Sequence, residues 1–467
     1  MNGLVKQWLS GDGLKLSPVQ RATHTHVIGQ TGTGKSKTLE SWVMQDVASG
    51  HGLAVLDPHG DLYNNLVLRI GMLAQQRPEL AERIVLIDPS DPMWTVGFNP
   101  LEPIKGILLE RLAWFLTDVI IKIWKLDSSA MPRMLRLITY SFLTLAEFGK
   151  TLVDLPRFLN DTAWRESFVA RTTHREVADY FRYEFPTREN SVHQWITPVL
   201  NKIGPLIFDP DVRLMLGTKS TINFRKILDD KLILLVNLSK GILGEGNSAL
   251  LGAFIVAHLQ QAALSRANSR NRDLFFLYLD EFQNYTTDNI KDILSESRKY
   301  GLSLILAHQY LDQLATDLRG AVLNTASIVA CFRLGYQDAS VLARELFPPN
   351  HLRETHHELH LTRIAGHRIL MLQEQNEVLK HEALVNQLTQ LRPREFWTKR
   401  RGPHQPVKQR ALSMPEPVIG KELYTARKRL VELSGQRFGK LKSEVRKELA
   451  NGRSTTPYES TNYYEPI

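Results

Sequence analysis

The chain has 467 residues, 43% of them hydrophobic and 23% charged, with a formal net charge of +9. That balance excludes a fibrous or wholly disordered chain and leaves enough length for a large core in two or three domains. The basic excess favours a polyanionic partner such as nucleic acid or an acidic membrane surface. The single cysteine, Cys331, excludes an intrachain disulfide and points to a reducing cytoplasm.

The opening residues MNGLVKQWLSGDG lack a secretory apolar region. No stretch reaches about 18 uninterrupted apolar residues, so no membrane-spanning segment is expected. The nearest, Ala249–Leu264, carries His258, Gln260 and Gln261 and reads as a buried helix.

Residues His24–Ile28 form a short strand pattern before VIGQTGTGKSKT, which matches G-x-x-x-x-G-K-[ST] from Gly29 to Ser36. Gly29, Gly32 and Gly34 allow backbone conformations in which successive N–H groups, those of Thr31 and Thr33 among them, turn on phosphate oxygens. Lys35 is expected to reach the β- and γ-phosphates of ATP, and Ser36 to ligate Mg²⁺. A helix over Lys35–Val47, with Lys37 in its first turn, points its positive end at the same phosphates.

Leu53–Leu56 and Ile84–Ile87 are apolar runs that end at Asp57 and Asp88. Such runs are typical of buried parallel strands with functional loops at their carboxyl ends, as in an α/β fold. Asp57, His59 and Asp61 fit either a functional loop or ordinary turn and N-cap chemistry. Helical periodicity dominates Leu101–Trp124 and Met134–Phe148, and strand-like runs are rare before Lys231–Leu238, so residues 102–222 read as an inserted all-α domain. This stretch holds Trp124, Trp164, Arg165, Arg171, Arg175, Arg182, Tyr183 and Arg188, a mixture that suits a nucleic-acid channel or an ordinary helix surface.

Leu274–Leu279 is a buried strand that ends in Asp280 and Glu281. Asp280 is placed to hold Mg²⁺ through water, and Glu281 to orient and deprotonate the attacking water. A helix follows over Ile293–Tyr300, ending at Gly301, and then the strand Leu302–Ala307, after which Gln309 is positioned to contact both γ-phosphate and water. Arg298 is a candidate to stabilise transition-state charge across a subunit boundary. Ser327–Arg333 reads as a further strand and Asp338–Leu346 as a helix. The histidines of 350–360 lack a tidy zinc spacing. Leu391–Arg410 carries seven Lys/Arg against one Glu and is a candidate phosphate-contacting surface for DNA. A mixed-charge helix is expected over Lys421–Ala450, followed by a polar end expected to be disordered or docked on a partner.

The motifs HVIGQTGTGKS, LAVLDPHGDL, the FNPL of Phe98–Leu101, LYLDEFQNY, SRKYGLSLILAHQ and ACFRLGYQDA occur here in the order found in the HerA/FtsK superfamily. They most closely resemble the TraD/TraG-type coupling ATPases of conjugation and type IV secretion. The resemblance implies a RecA-like motor with an inserted all-α domain. Its motor domain would comprise residues 24–101 and 223–415, its insert 102–222, after an N-terminal lead 1–23 and before a tail 416–467. It further implies a homohexamer with ATP sites between subunits and sequence-independent DNA pumping through the pore. Lys35 and Ser36 would bind phosphate and Mg²⁺, Asp280 and Glu281 would be the metal and catalytic acids, Gln309 the sensor and Arg298 the trans-acting arginine. Conjugative members usually begin with membrane-spanning helices. This chain reaches its phosphate loop by Gly29, so a cytoplasmic protein recruited by a relaxase or other transfer components is expected. Two alternatives stay open: a HerA-like DNA-processing motor acting with a nuclease, and a cargo-docking adaptor that uses ATP only to assemble.

Overall fold

The computed structural model describes residues 18–451 apart from 127–130, 271, 286–289, 291–293, 295, 348–365, 403, 413, 415, 416, 418 and 419. In chain order its strands are β1 (Thr25–Ile28), β2 (Gly52–Asp57), β3 (Ile84–Ile87), β4 (Trp94–Thr95), β5 (Ile233–Asn237), β6 (Phe275–Leu279), β7 (Leu302–His308), β8 (Ile328–Cys331), β9 (Glu395–Arg400), β10 (Val407–Arg410) and β11 (Lys440–Leu441). The fold is α/β, of the RecA-like phosphate-loop kind. Two compact units divide the chain, one made of residues up to Ala48 with Leu277–Gln283 and Ser303–Pro415, the other of Ser49–Phe276, Asn284–Leu302 and the residues from Glu416 on.

In the first unit the strand order is β10-β9-β8-β1-β7-β6. β1 runs parallel to β7 and β8, pairing Val27 with Ala307 and Ala330. Every residue of β1 and β7 is buried, the polar Thr25, His26, Ser303 and His308 included, as expected of parallel strands covered on both faces. The basic segment forms an antiparallel hairpin: β9 pairs with β8, and β10 with β9. The helix Lys35–Ala48 buries Leu39, Val43 and Val47. Another core gathers Ile28, Leu342, Leu346, Val385 and Leu388, from β1 and the helices Tyr336–Leu346 and Gly366–Thr389. The expected strands and helices of this unit therefore form within a residue or two of their sequence bounds. The histidine-rich stretch 350–360 lies outside the described residues.

In the second unit β2, β5 and β3 are parallel in that order, with Ile233 opposite both Leu53 and Ile84. Between β4 and β5 the described elements are all helical, beginning with Leu109–Ile123 and Pro132–Glu147. Arg165, a candidate for nucleic acid, is instead 4% exposed and donates to the carbonyl of Leu159 at 2.9 Å. Trp164 packs edge-on against Phe168 at 4.7 Å. Arg175 stays in solvent, 93% exposed.

The long C-terminal helix expected over Lys421–Ala450 is two helices, Lys421–Phe438 and Lys442–Ala450, broken at Gly439 by the strand β11, which pairs with β4. Gly435 explains why the first of these lies so close: a Cβ there would sit 2.3 Å from the Trp94 ring. Gly71, on the helix Asp61–Gln76, meets the Ala426 backbone in the same way, at 3.1 Å. Residues 452–467 are outside the described residues. Among the described residues one helix, Glu245–Ala267, is long and apolar enough to cross a membrane, and 83% of its most apolar stretch is buried within the protein.

Candidate functional site: a phosphate loop facing two carboxylates

The loop after β1 is anchored from both neighbouring strands. The Gly29 amide donates to the His308 carbonyl at 3.3 Å, and the Gln30 amide to the Arg333 carbonyl at 2.9 Å. Gly34 has a φ of +107°, a conformation that a residue with a Cβ rarely adopts. Thr33 and Thr38 fix the turn further, Thr33 donating to the Gln30 carbonyl at 2.7 Å and Thr38 to that of Gly34 at 2.9 Å. The helix Lys35–Ala48 starts at this point, so its unpaired N–H groups face the mouth of the loop.

Lys35 is buried, and its ammonium donates to the carbonyls of Gly29 at 2.5 Å and Gln30 at 3.2 Å. Burial lowers its pKa, and the carboxylates Glu281 and Asp280 act in the opposite direction. Those carboxylates come from the end of β6. Asp280 is 3% exposed and accepts from the Ser36 hydroxyl at 3.4 Å. Glu281 is 6% exposed and held at both oxygens: Gln309 Nε2 donates at 3.0 Å and Gln283 Nε2 at 2.7 Å. Gln309 also accepts from the Thr31 hydroxyl at 2.8 Å, and its backbone N–H donates to the Gln313 side chain at 2.9 Å. Glu281 has a φ of +46°, an unfavourable conformation for a residue with a side chain, and one that clusters at functional positions.

Beneath the loop, β1 and β7 bring His26 and His308 together. Their Nε2 atoms are 2.7 Å apart and the rings stack at 4.9 Å. One nitrogen must donate and the other accept. His308 Nδ1 lies 3.1 Å from the Tyr310 carbonyl, so it carries the proton there and its Nε2 accepts from His26. His26 Nδ1 is then left bare, and it is buried with no partner among the described residues. Burial pushes His26 down to about 4 and His308 well below the usual histidine range, with His26 beside it acting in the same direction.

Of the residues singled out by sequence, Thr31, Lys35, Ser36, Asp280, Glu281 and Gln309 thus meet at one place. Lys37 turns aside to Glu40 at 2.9 Å. Arg298 is exposed on the short 3₁₀ turn Ser297–Tyr300, closed by Gly301 with φ +76°. The sequence reading missed Gln283, which lies two residues past Glu281, and Gln313, four past Gln309. It also missed the His26–His308 pair, which only strand register reveals. Ser36 and Asp280 offer the hard oxygens that Mg²⁺ prefers, and the amide-lined loop with Lys35 fits a polyphosphate.

Residues 18–146 match the family model "Helicase HerA, central domain". The fold is similar to that of the bacterial conjugative coupling protein TrwB in an unbound form, with a TM-score of 0.54 and 14% identity over 90% of this chain and 94% of that one. The plasmid coupling protein TrwB in complex with ADP and Mg²⁺ gives a TM-score of 0.54 at 13% identity, covering 89% and 94%. VirB4 of Thermoanaerobacter pseudethanolicus gives 0.50 at 12% identity, covering 84% and 90%. A search of curated proteins finds no match. The resemblance to the HerA/FtsK superfamily carried by the motifs is thus met by the HerA central-domain match and by a RecA-like phosphate-loop fold shared with conjugative coupling proteins.

Proposed function

We propose that the chain is an ATP-hydrolysing DNA translocase, a motor of the coupling-protein type in conjugative transfer or type IV secretion. The observation that carries this reading is the buried Glu281 carboxylate, oriented by two amides beside a phosphate loop whose Ser36 meets Asp280. A loop that only bound nucleotide for assembly would have no need of a second oriented carboxylate. The TrwB structures with ADP and Mg²⁺ and with a non-hydrolysable ATP analogue support nucleotide binding in this fold.

In this reading the loop amides from Gly29 to Ser36, with Lys35 and Lys37, bind the phosphates. To do so Lys35 gives up its bonds to the Gly29 and Gln30 carbonyls, and Lys37 its ion pair with Glu40. Ser36 and Asp280 would hold Mg²⁺, which would supply charge neutralisation on the phosphates. Glu281 accepts the proton of the attacking water at the carboxylate oxygen that Gln309 now orients. Gln309, tied also to Thr31 in the loop, senses the γ-phosphate position. Arg298 stabilises transition-state charge from a neighbouring subunit of a homohexamer, consistent with its exposure. DNA is held through its phosphates, without sequence preference, and relaxase or other transfer components recruit the cytoplasmic protein to the inner face of the membrane. The HerA central-domain match favours one further reading, a DNA-processing translocase acting with a nuclease.

The test is ATP hydrolysis with and without DNA. DNA of unrelated sequences should stimulate turnover equally. An Arg298→Ala protein should be inactive alone and recover activity when mixed with Lys35→Ala subunits, because an intact loop then meets an intact arginine. ATPase activity indifferent to DNA would contradict the translocase, and full activity of Arg298→Ala alone would rule out the trans arginine.

A further inference from the structure

Arg394 stands at the root of the basic hairpin. Its backbone N–H donates to the Thr33 carbonyl of the phosphate loop at 2.8 Å, and its own carbonyl accepts from the Ala411 amide at 2.7 Å. It therefore ties both ends of the β9–β10 hairpin to the loop. Its side chain lies on Gly34: a Cβ built on that glycine would be 3.1 Å from Arg394 Cγ. Arg394 has a φ of +69°, where glycine or asparagine is far less strained. Arg394 is half-buried, yet its guanidinium makes no hydrogen bond or ion pair with the described residues. A residue kept only to close a turn at this φ would not need a long cationic side chain.

We propose that Arg394 is a further nucleotide contact, supplied by the same subunit, whose guanidinium binds a phosphate oxygen on the Thr33–Gly34 side of the loop. The inference rests on the nucleotide-binding reading above and deepens it. Phosphate is favoured over the base because the side chain starts on the loop wall whose amides face phosphates, and a guanidinium matches phosphate geometry with paired donors. Because the same residue's backbone joins loop to hairpin, nucleotide binding should also steady the hairpin root.

The experiment is equilibrium binding of a fluorescent ADP analogue, with adenosine as competitor, to the full chain and to Arg394→Gly, Arg394→Gln and Arg394→Lys. Glycine removes the side chain while relieving the backbone, so the unliganded variant should melt at the wild-type temperature or above it. Loss of a charge-assisted contact should weaken ADP about tenfold in the Gly and Gln variants, with Lys intermediate and adenosine unaffected. Hydrogen exchange at the Ala411 amide should slow when ADP binds wild type and not when it binds Arg394→Gly. Wild-type ADP affinity in both the Gly and Gln variants would overturn the proposal. An equal loss for adenosine would move the contact to the base and overturn the phosphate claim. Wild-type protein that binds no ADP would instead sink the nucleotide-binding reading itself.

Discussion

The carboxylates after β2 and β6 are both buried at the end of an apolar strand, but they bond to different things. Asp57, 1% exposed, turns back on its own chain and accepts from the amides of His59 and Tyr63, each at 2.9 Å. Burial raises its pKa and those amides pull it down. Asp280 also accepts from its neighbour's amide, that of Glu281 at 3.1 Å, but its other oxygen meets Ser36 on the phosphate loop, and Glu281 meets the side chains of Gln309 after β7 and the nearby Gln283. An acid whose oxygens are taken by the amides of its own turn has a capping role and little capacity left. An acid held by side-chain amides keeps an orientation and can exchange those bonds during a reaction. Sequence alone left the β2 loop open between function and turn chemistry, and Asp57 bonds as a turn acid.

That contrast can be broken by substitution, with the largest effect at the phosphate loop. Lys35→Ala should abolish ATP turnover, because it removes the buried ammonium that the Gly29 and Gln30 carbonyls hold near Glu281 and Asp280, while Asp57→Asn should leave the turnover of folded protein unchanged. An ATPase assay on both decides it, and substantial turnover by Lys35→Ala would break the contrast.

The second effect is pH-dependent stability. His26 and His308 are held neutral in the fold, with His26 lowered to about 4. An unfolded chain takes up these protons near pH 6.5, so folding stability should fall as pH drops below about 6.5, the His26 part of the loss being complete near pH 4. By linkage His26 alone should account for about 3 kcal/mol over that window. Denaturant unfolding at pH 7 and pH 5 measures this. His26→Gln should flatten the slope, and an unchanged slope in that variant would show that the pair does not carry it.

A smaller cost is expected at the turn itself. Asp57→Ala leaves the His59 and Tyr63 amides without their acceptor, which should lower stability by about 1–2 kcal/mol in thermal unfolding. The smallest effect concerns the basic hairpin. Reversing the charge of Arg400 and Arg401 should weaken DNA binding uniformly across sequences and reduce the log–log salt slope by about 2. A strong preference for one duplex sequence that ignored salt would contradict phosphate-dominated binding.

Strand positions were legible where a buried strand is an apolar run stopped by an acid, as at Asp57, Asp88 and Asp280. Ile84–Ile87 matches to the residue, and the phosphate loop reads from glycine spacing alone. What depended on pairing between distant segments was hidden. Nothing local to Arg394 announces that it lies on Gly34, and nothing in β1 announces that His26 faces His308. The packing of Gly435 on Trp94 likewise makes a charged-looking C-terminal helix part of a core. Arg165 shows the converse: a basic residue among aromatics looked like a nucleic-acid contact, and burial gave it backbone carbonyls instead.

The central claim is that Glu281 is an oriented base at an ATP site. The most direct measurement follows bound ATP and released phosphate on the same samples of wild-type and Glu281→Gln protein. Removing the base should slow hydrolysis by about 10²–10⁴ while ATP affinity stays within a few-fold, so the variant should fill with intact ATP. Hydrolysis at the wild-type rate in Glu281→Gln would contradict the account.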